Sequence, residues 1–105
     1  MIPYILFDNV KERKIFWTYH VNMRMKGRFI PRHIIIDSVQ NYEITEAYPE
    51  DKYLPSYLVY SFYETLLFHV LFAVDVVREN VRVITSYYPD SEEWEANFKK
   101  RRRRS

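Results

Sequence analysis

"YLVYSFYETLLFHVLFAVDVVRENVRVITSYY", residues 57–88, decides the fold. It opens with "YLVYSFY" (57–63), aromatic and β-branched side chains that suit a pleated, half-buried surface. Glu64 and Thr65 interrupt it as a turn. "LLFHVLFAVD" (66–75) is apolar at odd and even positions alike, the pattern of a central strand covered on both faces. "VVREN" (76–80) reads as a second turn. "VRVITSYY" (81–88) then alternates apolar and polar residues until Pro89 and Asp90 stop it. Consecutive strands joined by turns this short can pair only as an antiparallel meander.

Working outward, Ile44 among its tyrosines predicts one more short strand, and "YPEDKYLP" (48–55) a loop punctuated by two prolines. Further upstream the period changes. Pro31 fits the first turn of a helix, where its missing N–H costs nothing. "PRHIIIDSVQNY" (31–42) places Ile34, Ile35, Ser38 and Val39 at helical spacing. Before it, Thr18 is a suitable N-cap, residues 19–26 a short helix, and Gly27, the only glycine, its left-handed terminus. Residues 3–17 stay open: "IFW" (15–17) either ends a short strand or packs a terminal turn. Downstream, "SEEWEANF" (91–98) predicts a short helix with Ser91 as cap, and Trp94 and Phe98 packing on the sheet. The expected fold is α+β: two N-terminal helices on a roughly four-stranded antiparallel sheet, with a short C-terminal helix.

Composition sets bounds. A chain of 105 residues with 48% hydrophobic and 18% aromatic residues can bury one core, so residues 1–98 are expected to form a single α+β domain. There is no cysteine, which excludes disulfides and thiolate metal sites. No run approaches the roughly 20 apolar residues of a membrane helix, and the start lacks the order of a secretory signal. The expected location is the cytoplasm. The net charge of +2 hides an asymmetry. "KKRRRR" (99–104) holds six of the 16 cations, leaving ten against 14 carboxylates elsewhere, a net of −4. A like-charged block repels itself, so residues 99–105 are expected to be a disordered basic tail. That tail either attracts a phosphate backbone or simply keeps the protein soluble.

Three stretches together resemble a known family. They are His-x-x-x-Arg-Met-x-x-Arg at His20, Arg24, Met25 and Arg28, then "YPEDKYLPSYLVYSF", then "LLFHVLFAVD" followed by "VRVITSYYPDSEEWEANFKKRRR". The resemblance is to a small prokaryotic family of formally unknown function, whose genes often lie beside MqsA-type zinc-finger antitoxins. It implies a RelE-like fold and a toxin-like endoribonuclease acting on mRNA, with RNA and an antitoxin protein as partners. The family usually reads Arg-Gly-Ile after the methionine helix, whereas here Gly27 precedes Arg28.

Metal-free RNA cleavage needs a base for the 2′-hydroxyl, an acid for the leaving oxygen and a cation for the charged phosphorane. Histidine serves either proton role near neutral pH, and arginine forks onto phosphate. His20 and Arg24, four apart, share a helical face, which is either a base beside a phosphate clamp or a solvated polar surface. His69 shares a strand face with Leu67, Leu71 and Ala73. It is either a buried histidine held by a backbone or tyrosine partner, the reading its apolar strand favours, or a residue on the floor of a cleft. By strict alternation Tyr88 joins Arg82, Ile84 and Ser86, where it can meet RNA or cover the core edge. The candidate catalytic set is therefore His20, Arg24, His69 and Tyr88. The candidate RNA contacts are Arg28, Arg78, Arg82, Lys99, Lys100, Arg101, Arg102, Arg103 and Arg104. His33 is expected at the surface. No P-loop, dinucleotide fingerprint or nucleophile elbow is present, and histidines at 20, 33 and 69 lack metal-ligand spacing, so no metal or cofactor is expected. A non-catalytic protein-interaction or RNA-binding module remains the alternative.

Overall fold

The computed structural model describes residues 2–17 and 30–101. In chain order these form α1 (Ile2–Lys11), β1 (Ile15–Trp17), α2 (Arg32–Asp37), a 3-10 turn (Val39–Asn41), β2 (Glu43–Tyr48), β3 (Ser56–Tyr63), β4 (Leu66–Asp75) and β5 (Asn80–Tyr87). One five-stranded sheet runs β1-β5-β4-β3-β2. The expected meander is there: β2, β3, β4 and β5 pair antiparallel in sequence order. Tyr63 pairs with Leu66, so Glu64 and Thr65 make a two-residue hairpin loop. Such loops need left-handed backbone. Glu64 adopts it with φ 56°, in a loop that contains no glycine.

The core lies on one sheet face. Tyr57 and Val59 of β3, Phe68, Val70, Phe72 and Val74 of β4, and Val81 and Val83 of β5 pack against Leu6 and Val10 of α1 and Ile34 and Ile35 of α2. Leu6 and Val10 stand four apart, so one turn of α1 delivers both to the sheet. At the end of α2, Ser61 Oγ donates to Ser38 Oγ at 2.8 Å, a buried link from β3 that fixes where the helix stops.

Several expectations change. The residues left open at the start form α1, and "IFW" is a strand. β1 pairs parallel with β5 (Ile15 opposite Val81, Trp17 opposite Val83), so the sheet has five strands, not four, and is mixed. The expected helix over 19–26 lies outside the described residues. The helix from Pro31 is shorter than expected and continues only as the 3-10 turn. The short C-terminal helix over 91–98 is absent. Trp94 N donates to the Asp90 carbonyl, making one turn, after which Trp94 forms a β-bridge with Arg101 instead of continuing a helix. Burial decides this: Trp94 is 1% exposed on the second face of the sheet, and a continued helix would not let the chain return across it. Among the described residues no helix is long and apolar enough to cross a membrane.

Candidate functional site

The second sheet face, opposite the helices, holds most of the polar chemistry. Two irregularities in strand pairing decide what it presents. In β5 the pairs step from Phe72–Val83 to Leu71–Thr85, so Ile84 is an extra residue. A bulge of this kind reverses the alternation beyond it. Arg82 opposes Ala73, Thr85 opposes Leu71, and Tyr87 opposes His69. Tyr88 consequently falls on the helix side, packed against the core, and the tyrosine beside His69 is Tyr87. A second irregularity, between Ile44 and Glu46 in β2, brings Glu43 and Glu46 opposite Tyr60 and Leu58 on the same face, though they are three residues apart.

His69 sits in the middle of this face and is fully buried. Its Nε2 lies 2.7 Å from the Phe98 carbonyl. A carbonyl only accepts, so Nε2 carries the proton and Nδ1 accepts from the Tyr87 hydroxyl at 3.3 Å. The Trp94 ring stands edge-on to the imidazole, with centroids 4.4 Å apart. Burial pushes the His69 pKa below its ordinary value, against the upward pull of the Phe98 carbonyl. Burial also lifts the Tyr87 phenol to about 12. Of its two readings, the arrangement matches the buried histidine with backbone and tyrosine partners; the ring has no free nitrogen to offer a substrate.

The segment that covers His69 is pinned by charge. Arg101 Nε donates to Glu46 Oε2 at 2.6 Å and Nη2 to Oε1 at 3.3 Å, while its guanidinium lies 4.6 Å from the Trp94 ring centroid. The Tyr48 hydroxyl also donates to Glu46 Oε1. Partial burial raises the Glu46 pKa, but the bonds from Arg101 and Tyr48 outweigh it and hold the carboxyl below the usual range. Lys99 Nζ pairs with Glu43 Oε2 at 2.8 Å and sits over the Tyr60 ring. Lys100 gives its carbonyl to Glu95 N. Thus Lys99, Lys100 and Arg101 lie against the body, while Arg102, Arg103 and Arg104 lie outside the described residues.

Between this segment and the loop before β3 runs an open groove. Its larger part, about 520 Å³, has Leu71, Ala73 and Ile84 as floor and Lys52, Tyr53 and Arg82 among its walls. Tyr53 is 86% exposed, and Lys52 Nζ lies over its ring, 5.5 Å from the centroid. Arg82 reaches in from β5, held at 3.3 Å by Asp75 Oδ2. A smaller cleft of about 180 Å³ adjoins it at Leu71, lined by Glu46, Tyr48, Thr85, Tyr87 and Arg101. Thr85 Oγ1 is buried there with no hydrogen-bond partner among the described residues.

Of the sequence-derived candidates, the structure brings Arg82 and Arg101 to the groove. Arg78 is exposed in the β4–β5 turn, its backbone N–H on Asp75 Oδ1. His33 is exposed on α2, as expected. His20, Arg24 and Arg28 lie outside the described residues. The groove residues that sequence reasoning missed are Lys52, Tyr53, Glu46, Thr85 and Tyr87. The loop carrying the first two was legible as a loop, but nothing in it marked a wall.

A family model described as a domain of unknown function matches residues 17–91, most of the chain. The sheet from β2 to β5 and the larger groove fall inside the match; Trp94, Phe98 and Arg101 fall beyond it. No curated protein and no solved structure matches the chain.

Proposed function

The chain belongs to that family, DUF4258, and we propose that it acts on single-stranded RNA as the toxin-like, RelE-like member of a toxin–antitoxin pair, cleaving mRNA without a metal. The observation that carries this reading is the groove. Lys52 and Arg82 supply cations for phosphate, the face of the exposed Tyr53 ring that Lys52 does not cover supplies a surface on which a base can stack, and the apolar floor accepts the rest of a nucleotide. When the RNA's own 2′-hydroxyl is the nucleophile, the protein need only move protons and hold charge. His20 is the proposed base and Arg24 the proposed phosphate clamp. His69 is a positioning residue, which holds Tyr87 and the covering segment in place.

The test is incubation of purified protein with single-stranded RNA in excess chelator. Cleavage leaving 2′,3′-cyclic phosphate ends is expected, abolished by His20→Ala or Arg24→Ala. Arg82→Ala should weaken RNA binding across sequences and reduce the slope of its salt dependence by about 1, as expected for the loss of one phosphate contact. Failure of RNA to bind at low salt overturns the reading. One observation favours a second possibility, RNA binding without cleavage: neither described histidine opens onto the groove, His69 being sealed and His33 on the helix side. RNA that binds with Arg82 dependence yet stays intact selects it.

A further inference from the structure

A large ring lies on the second sheet face, outside the groove's own lining. Phe16 is the middle residue of β1. Its neighbours Ile15 and Trp17 pack on the core, so alternation turns the Phe16 side chain to the opposite face. There it is 58% exposed. β1 borders the sheet, with β5 as its neighbour. The register sets out one row across the face: Phe16 opposes Arg82, Arg82 opposes Ala73, and Ala73 opposes Ser56. Arg82, Ala73 and Ser56 line the larger groove, with Tyr53 on the loop that leads into Ser56. The row is therefore a ring, a cation and two small side chains, with a second exposed ring beyond them. At the usual spacing of roughly 4.8 Å between strands, Phe16 and Ser56 are about 14 Å apart at the backbone. Ala73 and Ser56 are short, so the face dips between the rings.

The order of the row narrows what fits it. With Arg82 standing between them, the two rings suit two planar groups rather than one, joined by an anionic link. Two carboxylates border the row, and both are engaged. Asp75 accepts from Arg82 and from the Arg78 N–H, and Asp51 accepts from the Ser56 hydroxyl. The Arg82 guanidinium has five N–H donors and gives one to Asp75 at 3.3 Å, which leaves others for a phosphate. A single nucleic-acid strand alternates planar base and phosphate, and its unpaired bases can splay out onto aromatic faces; in a duplex those faces are covered by their neighbours. Resting on the RNA reading of the groove, we infer that Phe16 is a second stacking platform. Bases on either side of a phosphate lie on Phe16 and Tyr53, while Arg82 holds the phosphate between them. The ligand is then a single strand of at least two unpaired nucleotides, and neither a mononucleotide nor a duplex fills the site.

The test measures binding by fluorescence anisotropy at low salt, using a short labelled 2′-O-methyl strand of alternating adenine and cytosine. That strand has no free 2′-hydroxyl to attack, so it stays intact. Phe16→Thr keeps a β-branched strand residue but removes the ring, and should bind about tenfold more weakly. Phe16→Tyr, which restores a ring, should recover the wild-type affinity. Against a strand whose bases are replaced by abasic sites, or against the corresponding duplex, Phe16→Thr should bind no more weakly than wild type. Wild-type affinity in Phe16→Thr, while Arg82→Ala still weakens binding, overturns this inference and leaves the RNA reading of the groove standing. Failure of the wild-type protein to bind the strand takes both down. An equal loss against the abasic strand shows that the ring does not act through bases, and overturns the inference alone. An acidic peptide of alternating glutamate and tyrosine that binds as tightly, with the same Phe16 dependence, does the same.

Discussion

Trp94→Ala is the most informative single perturbation of the covering segment. A buried tryptophan removes about 150–250 Å² from water, which at about 25 cal/mol per Å² amounts to roughly 4–6 kcal/mol as an upper bound. Truncations of this kind in cores cost about 3–5 kcal/mol, so about 4 kcal/mol is the expected loss for a ring that is 1% exposed. A chain of this size is stable by roughly 5–15 kcal/mol, so the variant should still fold at low temperature, with a narrowed margin. Urea denaturation followed by far-UV circular dichroism measures the loss, with Trp94→Phe as a milder companion. A second readout separates packing from a general weakening. The Trp94 ring stands 4.4 Å from His69 and excludes water from it. Removing the ring should raise the His69 pKa toward its ordinary value, read from the imidazole carbon protons by NMR. A loss under about 1 kcal/mol with an unchanged His69 would refute the view that residues 94–101 are a structural part of the sheet's second face.

Three further outcomes follow from the same geometry. Because burial lowers the folded-state pKa of His69, the unfolded chain takes up this proton first as pH falls. Stability contributed by the neutral ring is therefore intact above about pH 6.5 and declines below it, by at most about 1.4 kcal/mol per pH unit, until the folded-state pKa is passed; His69→Gln should flatten that part of the stability–pH curve. Glu64→Gly should stabilise the β3–β4 hairpin by about 0.5–1 kcal/mol, since it relieves a left-handed backbone strain that exceeds the extra entropy of an unfolded glycine; a lower urea midpoint would contradict this. Thr85→Val replaces a buried hydroxyl that has no partner among the described residues with a methyl of similar shape, and is expected to leave thermal stability unchanged or raise it by about 1 kcal/mol.

The meander was legible because its strands carry their own punctuation. β4 reads as central from its apolar run alone, yet the cover on its second face is not a helix or another sheet. It is Trp94 and Phe98 returning across His69, a long-range arrangement with no local signature. The short helix expected at Ser91 failed for that reason, since capping and acidic first-turn residues favour a start but cannot compete with burial of a large ring. β1 was ambiguous because three residues hold no period. Its strand state depends on Val81 and Val83 lying alongside, which the residues themselves do not announce.

The site was less legible than the fold, and two physical effects account for it. Alternation is counted from one end of a strand, so a single unpaired residue inverts every assignment beyond it. Ile84 does this in β5, exchanging Tyr88 for Tyr87 beside His69. The other effect is charge. A run of six cations invites a phosphate partner, but the rest of the chain is net negative, and the run begins where it can reach that charge. Lys99 and Arg101 are engaged by Glu43 and Glu46 across the sheet. An arginine already forked onto a carboxylate must give up that bond before it can hold a phosphate. On the proposed reading, the cations of the groove wall are better placed for phosphate than Lys99 and Arg101. There Arg82 is held from one side only, by an Asp75 contact of 3.3 Å, and Lys52 has no carboxylate partner among the described residues. Replacing Arg82 should therefore reduce RNA affinity more than replacing Arg101, whose loss should appear first as a looser covering segment.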